Sequence, residues 1–194
     1  MPRKVLLAFA AVLVAIALPA GVGAAGYSLL DYQSAIDALL AVDPTIDPPP
    51  NDPSNDFAVG GFQGQENNNF GFSAHSTPLG GEPEGKLSET IPRPLTDTGS
   101  STYQARFSVT CLAVMGKDAA IGLVPTNAAS NDQQAQFVLS VHDSGLPGGT
   151  LDRYALLSDF DIFASDCGLY VFEALDPFAF TIERGNILVN DAPP

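Results

Sequence analysis

The sequence predicts an all-β fold: an antiparallel β-sandwich or partly closed barrel of about 8–10 short strands, with one short N-terminal helix. Three observations lead there. From Phe57 onward apolar residues alternate with polar ones at a period of two, as in Tyr103, Ala105, Phe107, Val109 and Cys111 against Gln104, Arg106, Ser108 and Thr110. Turn-forming clusters such as Gly80-Gly81, Asp97 to Ser101, Asn127 to Asp132 and Ser144 to Gly149 interrupt these runs at short, regular intervals. No helical period lies between the runs, which disfavours a parallel α/β sheet.

The first element is a signal. Arg3 and Lys4 precede a run from Val5 to Ala20 that is 16 residues long, holds no charge and has only Pro19 as a breaker. A charged n-region followed by an apolar h-region of this kind reads as a secretory signal peptide spanning 1–24. Val22 and Ala24 supply the small residues a signal peptidase recognises, so cleavage is expected after Ala24, with Ala25 as the alternative. A membrane span would need roughly 20 apolar residues. The expected location is therefore secreted and extracellular, with no membrane attachment after cleavage.

Residues 25–42 come next. Leu29, Tyr32, Ile36, Leu39 and Leu40 recur at steps of three and four, so a short helix is expected whose apolar face needs a partner to be stable. Residues 43–56, DPTIDPPPNDPSND, carry five prolines in fourteen residues. Proline excludes both helix interior and central strand, and the stretch reads as an acidic linker. The β domain then occupies 57–192. Its expected strands are 57–62, 70–74, 84–90, 103–111, 118–124, 137–141, 152–157, 168–173, 178–182 and 186–190.

Cys111 and Cys167 are the chain's two cysteines. In an oxidising compartment their expected fate is one disulfide with each other. Alternation places Cys111 on the face of Phe107 and Val109, so the bridge is expected inside the fold, tying two sheets together. The spacing has no C-x-x-C pattern and reads as a staple, not a redox site.

Charge narrows the partners. Removing Arg3 and Lys4 with the signal leaves 6 basic residues against 22 acidic ones, a formal charge of −16. Nucleic acid and anionic membranes both need clustered cations, so neither is an expected partner.

Several stretches together are similar to a domain of secreted actinobacterial proteins that also occurs beside sorting modules in surface proteins. They are 57–75 (FAVGGFQGQENNNFGFSAH), 107–124 (FSVTCLAVMGKDAAIGLV), 137–149 (FVLSVHDSGLPGG) and 185–192 (GNILVNDA). The resemblance covers most of 57–192 and implies a secreted β domain without an assigned activity. Leu123 stands where a second glycine is usual in that domain, and Asn190 where histidine is frequent.

Few motifs promise chemistry. Asp97-Thr98-Gly99-Ser100-Ser101 resembles the D-T-G-S-S string of pepsin-like proteases, with Asp143-Ser144-Gly145 as a second half. Such enzymes hold two carboxylates at the ends of buried strands. Pro92 to Thr96 is no buried strand, and the two strings lie too close for two lobes, so both are read as turns. His75 and His142 fall at outward positions of their strands and read as surface histidines; no G-x-S-x-G elbow, phosphate loop or zinc spacing accompanies them. Asp159, Asp161 and Asp166 are weak candidates for a structural calcium, which takes six to eight oxygen ligands. No other cofactor is expected.

The reading preferred on these grounds is a secreted, non-enzymatic β module, structural or ligand-binding, at the bacterial surface or in the medium, with an unknown envelope or extracellular partner. The alternative is a secreted hydrolase or carbohydrate-active domain working through carboxylates, although the chain has no Trp to stack on sugars. A third reading is an inhibitor or small-ligand carrier in a closed barrel. Perturbed carboxylates in one cleft would mark the enzyme, and a large apolar cavity the carrier.

Overall fold

A computed structural model describes residues 27–92, 102–127, 137–146, 149, 151–157 and 166–194. Alternating apolar residues do form strands: β1 (Asp56–Gln63), β2 (Asn69–Ser76), β3 (Glu84–Pro92), β4 (Thr102–Met115), β5 (Asp118–Pro125), β6 (Phe137–His142), β7 (Arg153–Leu157), β8 (Phe180–Thr181) and β9 (Arg184–Asn190). All nine belong to one antiparallel sheet in the order β8-β7-β6-β5-β4-β3-β2-β1-β9. The strands thus build a single curled sheet rather than the two sheets of a sandwich. Its concave face holds one continuous core to which Phe62, Phe70, Phe72, Phe107, Ile121, Leu139, Tyr154 and Val189 contribute.

The edge strand β9 comes back against the ends of β6 and β7, across a seam that carboxylates bridge. Asp152, fully buried, accepts the Ile187 amide at 3.0 Å through Oδ2, while its Oδ1 accepts the Ser144 amide and hydroxyl. Asp143 Oδ2 accepts the Val189 amide at 3.3 Å and an ion-paired hydrogen bond from Lys117 Nζ at 2.9 Å. These side chains satisfy amides of β9 that a neighbouring strand would otherwise serve.

The convex face carries two covers. On β1, β2 and β9 lies α1 (Leu29–Val42), started by Ser28, whose hydroxyl accepts from the Asp31 amide in a capping box. It buries Ala35, Ile36 and Leu39 against Phe57, Val59 and Leu188, while Leu29 points to solvent. Close approach requires a bare backbone beneath: a Cβ on Gly61 would stand 2.0 Å from the Ala38 carbonyl oxygen. The Pro-rich segment 43–56 has neither α-helix nor extended ladder before Asp56, as its prolines dictate, yet it is held to the domain. Ile46 is buried, Tyr32 Oη donates to the Pro49 carbonyl at 2.6 Å, and Asn190 Nδ2 donates to the Asn55 carbonyl at 2.8 Å.

The second cover corrects two expectations. Residues 168–173 are not a strand but part of two 3₁₀ turns, Cys167–Leu169 and Glu173–Leu175. Burial of Val171 and Ala174 with exposure of Leu169, Phe172 and Leu175 follows the three-residue period of such turns. Cys111 and Cys167 are bonded, with Cα atoms 6.0 Å apart, but the bridge does not lie in the main core. A β-bulge at Thr110 shifts the pairing between Val109 and Cys111, so Val109 and Leu112 face inward while Cys111 is turned outward. The disulfide therefore straps the 3₁₀ turns onto the convex face beside Ala120 and Val138, rather than tying two sheets. Ser140 Oγ, donating to the Tyr170 carbonyl at 2.7 Å, adds a second tie.

Candidate functional site

Between the two covers, the convex side of β3 and of the first half of β4 lies under neither the helix nor the turns among the described residues, and its floor is polar because it is the outward half of two alternating strands. Lys86 and Ser88 come from β3, with Arg106 and Ser108 beside them on β4; the register sets Lys86 opposite Ser108 and Ser88 opposite Arg106. Segment 43–48 walls one side. The result is a groove in two adjoining depressions that share Ile46 and Lys86. The larger, about 250 Å³, is lined by Asp43, Thr45, Ser88, Arg106 and Thr126. The smaller, about 170 Å³, is lined by Asp47, Ser73, His75 and Glu84.

Its hydrogen bonding is organised around the C-cap of α1. Asp43 is buried; its Oδ1 accepts from the Thr45 amide at 2.9 Å and hydroxyl at 2.6 Å. Oδ2 accepts from Gln104 Nε2 at 3.3 Å and lies 3.6 Å from Arg106 Nη2. Burial pushes the Asp43 carboxyl up, but hydrogen bonds from Thr45 and Ser88 and the Arg106 charge outweigh it and hold the group below the usual carboxylate range. Gln104 also donates to Ser88 Oγ at 3.0 Å, which fixes the floor. Lys86 is exposed and has no ion-pair partner among the described residues. His75 stands 3.6 Å from Glu84 through Nε2, while its Nδ1 is buried without a hydrogen-bond partner among the described residues.

The residues singled out in the sequence are dispersed. His75 lies in the groove, whereas His142 sits on β6 with Nδ1 2.9 Å from Asp118 Oδ1. Both occupy the outward positions expected of them. Asp143 is a seam clamp bonded to Lys117. Asp97 lies outside the described residues, as do Asp159 and Asp161. Asp166 is exposed, and no cluster of three or more His, Cys, Asp or Glu suited to a metal occurs among the described residues. No protein family, curated protein or solved structure is matched by this chain. What the groove does must accordingly be read from its own chemistry.

One carboxyl stands apart from the groove and had no signal in the sequence beyond its inward register. Glu89 faces the concave core among Phe70, Leu87, Phe107, Leu123, Phe137 and Leu156. Burial raises its pKa to about 7 against one opposing hydrogen bond, from Asn68 Nδ2 at 3.2 Å. A carboxyl with that pKa suits proton transfer, but the space beside it is about 10 Å³, room for one water and no substrate.

Proposed function

We propose that this chain is an exported, non-enzymatic β module that acts by binding, and that the groove over β3 and β4 is its ligand site. The carrying observation is the polar strip itself. Among the described residues, α1 covers one side of the convex face and the disulfide-strapped turns the other, while this strip keeps a concave floor of hydroxyl, amide and cationic groups with Lys86 in no ion pair. Polar groups that converge in a concavity are what a specific binding site requires. The filled concave core speaks against a cargo carrier, because the water-sized space at Glu89 offers no room for cargo. The signal-like terminus and the Cys111–Cys167 bridge support an oxidising, extracytoplasmic setting.

Co-sedimentation with isolated cell envelope tests the reading. The mature protein is expected in the pellet, and the double substitution Lys86→Ala, Arg106→Ala is expected to leave it in the supernatant. Arg184→Ala removes the same kind of charge from β9, outside the groove, and should pellet like the parent. Equal sedimentation of all three would refute the groove as the site.

A further inference from the structure

We infer that the ligand of this groove carries oxyanions, carboxylate or phosphate, on a hydroxylated chain, with one anionic group held between Lys86 and Arg106; this rests on the groove being the binding site. In a chain with 8 basic against 22 acidic residues, cations are scarce, and two of the five described ones are held by other partners. Lys117 pairs with Asp143, and Arg153 is absorbed by the carbonyls of Leu175, Asp176 and Ala179. Lys86 and Arg106, by contrast, are diagonal neighbours on adjacent strands, Lys86 facing Ser108 and Arg106 facing Ser88. That register puts the two residues roughly 7–8 Å apart, with their Cβ atoms somewhat closer. Two like charges so placed repel one another until an anion lies between them.

The chain itself shows that a carboxylate fits there. Asp43 enters the groove from the end of α1 and receives Gln104 Nε2, with Arg106 at 3.6 Å. It does not reach Lys86, and it answers only part of Arg106, whose side chain stays 46% exposed. Arg106 therefore keeps donors for a second oxyanion, Lys86 supplies a point charge, and Ser108 and Thr126 line the larger depression with hydroxyls for the hydroxyl groups of a chain. Continuation past Lys86 into the smaller depression gives the site the length of an extended ligand rather than of a single ion; Asp47 and Glu84 also line that end, so the anionic group belongs at the Lys86–Arg106 end and the uncharged, hydroxylated part at the other.

The test titrates the mature protein with three polymers: polygalacturonate, a glycerol-phosphate oligomer and neutral dextran. Binding of either polyanion but not of dextran is expected, weakening as salt is raised; the polyanion that binds tells carboxylate from phosphate as the source. Lys86→Gln with Arg106→Gln should lower polyanion affinity by about tenfold or more, which corresponds to about 1.4 kcal/mol. Lys86→Arg should retain it, and unchanged melting temperatures identify a folded variant. Asp43→Asn keeps an acceptor for Thr45 but releases Arg106, and should tighten polyanion binding severalfold. Failure of both polyanions to bind, or loss of binding in Asp43→Asn, would overturn the oxyanion assignment. Envelope binding that still depends on Lys86 and Arg106 would then leave the groove reading standing, whereas envelope binding indifferent to them would overturn the groove itself.

Discussion

Replacing Glu89 by Gln should make the protein more stable at pH 8 and leave it nearly unchanged at pH 4. Glu89 is 5% exposed, faces phenylalanines, and has its pKa raised from 4.5 to about 7, chiefly by burial. An acid whose folded pKa is raised binds its proton more tightly folded than unfolded. Folding stability is then fully present below about pH 4.5, falls as pH rises, and levels off above about pH 7. A shift of this size corresponds to roughly 3 kcal/mol between the two plateaus. Gln keeps the acceptor that Asn68 Nδ2 uses and carries no charge; its amide can also serve Asn68 Oδ1, which is buried without a partner among the described residues. Thermal unfolding of both proteins across pH 4–8 measures the effect. The variant should melt roughly 6–12 °C above the parent at pH 8, taking about 2–4 °C per kcal/mol for a chain of this size. Other titrating carboxyls, Asp56 and Asp152 among them, contribute to both curves and cancel in the difference. Parallel curves from pH 4.5 to 7.5 would show that Glu89 does not titrate in that range when folded, and the account of its environment would be wrong.

Three further perturbations probe the frame around the groove. Asp152→Ala should destabilise by about 3 kcal/mol or more, because it strips the partner from the buried Ile187 amide and from Ser144; amide exchange should accelerate first at Ile187 if the seam opens there, and uniform acceleration would refute a local clamp. Gly61→Val should lift α1 from the sheet, since even a Cβ would meet the Ala38 carbonyl at 2.0 Å; unchanged protease resistance of residues 29–42 would show that the helix does not dock as described. Cys111→Ser with Cys167→Ser should lower stability by about 4 kcal/mol, from a loop of 56 residues. Because the bridge lies outside the main core, the reduced protein should keep its sheet, and loss of the β-type circular dichroism on reduction would contradict that placement.

The strands were legible because period-two alternation is a direct consequence of a sheet with one buried face, and the prolines of 43–56 ruled out regular structure there with equal directness. What alternation cannot carry is a change of phase. From Tyr103 to Cys111 the apolar residues keep step in the sequence, yet one extra residue at Thr110 sends Cys111 to the opposite face from Val109. A similar limit hid the turns at 167–175, where an apolar run that could be strand is wound at period three and anchored through Cys167. Asp143 reads as an ordinary turn residue and Asp152 as the first residue of a strand; their role as stand-ins for a missing strand depends on the sheet curling until β9 meets them.

The groove is the sharpest instance of the same limit, and it shows where this fold keeps its freedom. Lys86 and Arg106 lie 20 positions apart and share no motif, but the antiparallel pairing of β3 with β4 makes them neighbours. Convex positions elsewhere are claimed by packing: Phe57 and Val59 under the helix, Ala120 and Val138 under the turns. On β3 and the first half of β4 the corresponding positions lie under neither cover among the described residues, although Ser88 is itself buried, and they are filled by Lys, Ser, Gln and Arg, residues that a sheet seeking only stability could exchange for almost any polar side chain. Gln104 is nevertheless shared between Asp43 and Ser88, so this surface holds a fixed hydrogen-bonded floor rather than a set of independently solvated side chains. Such order on this polar face limits the conformational entropy a ligand must remove on binding, and that is the physical reason to place recognition here rather than in the packed interior.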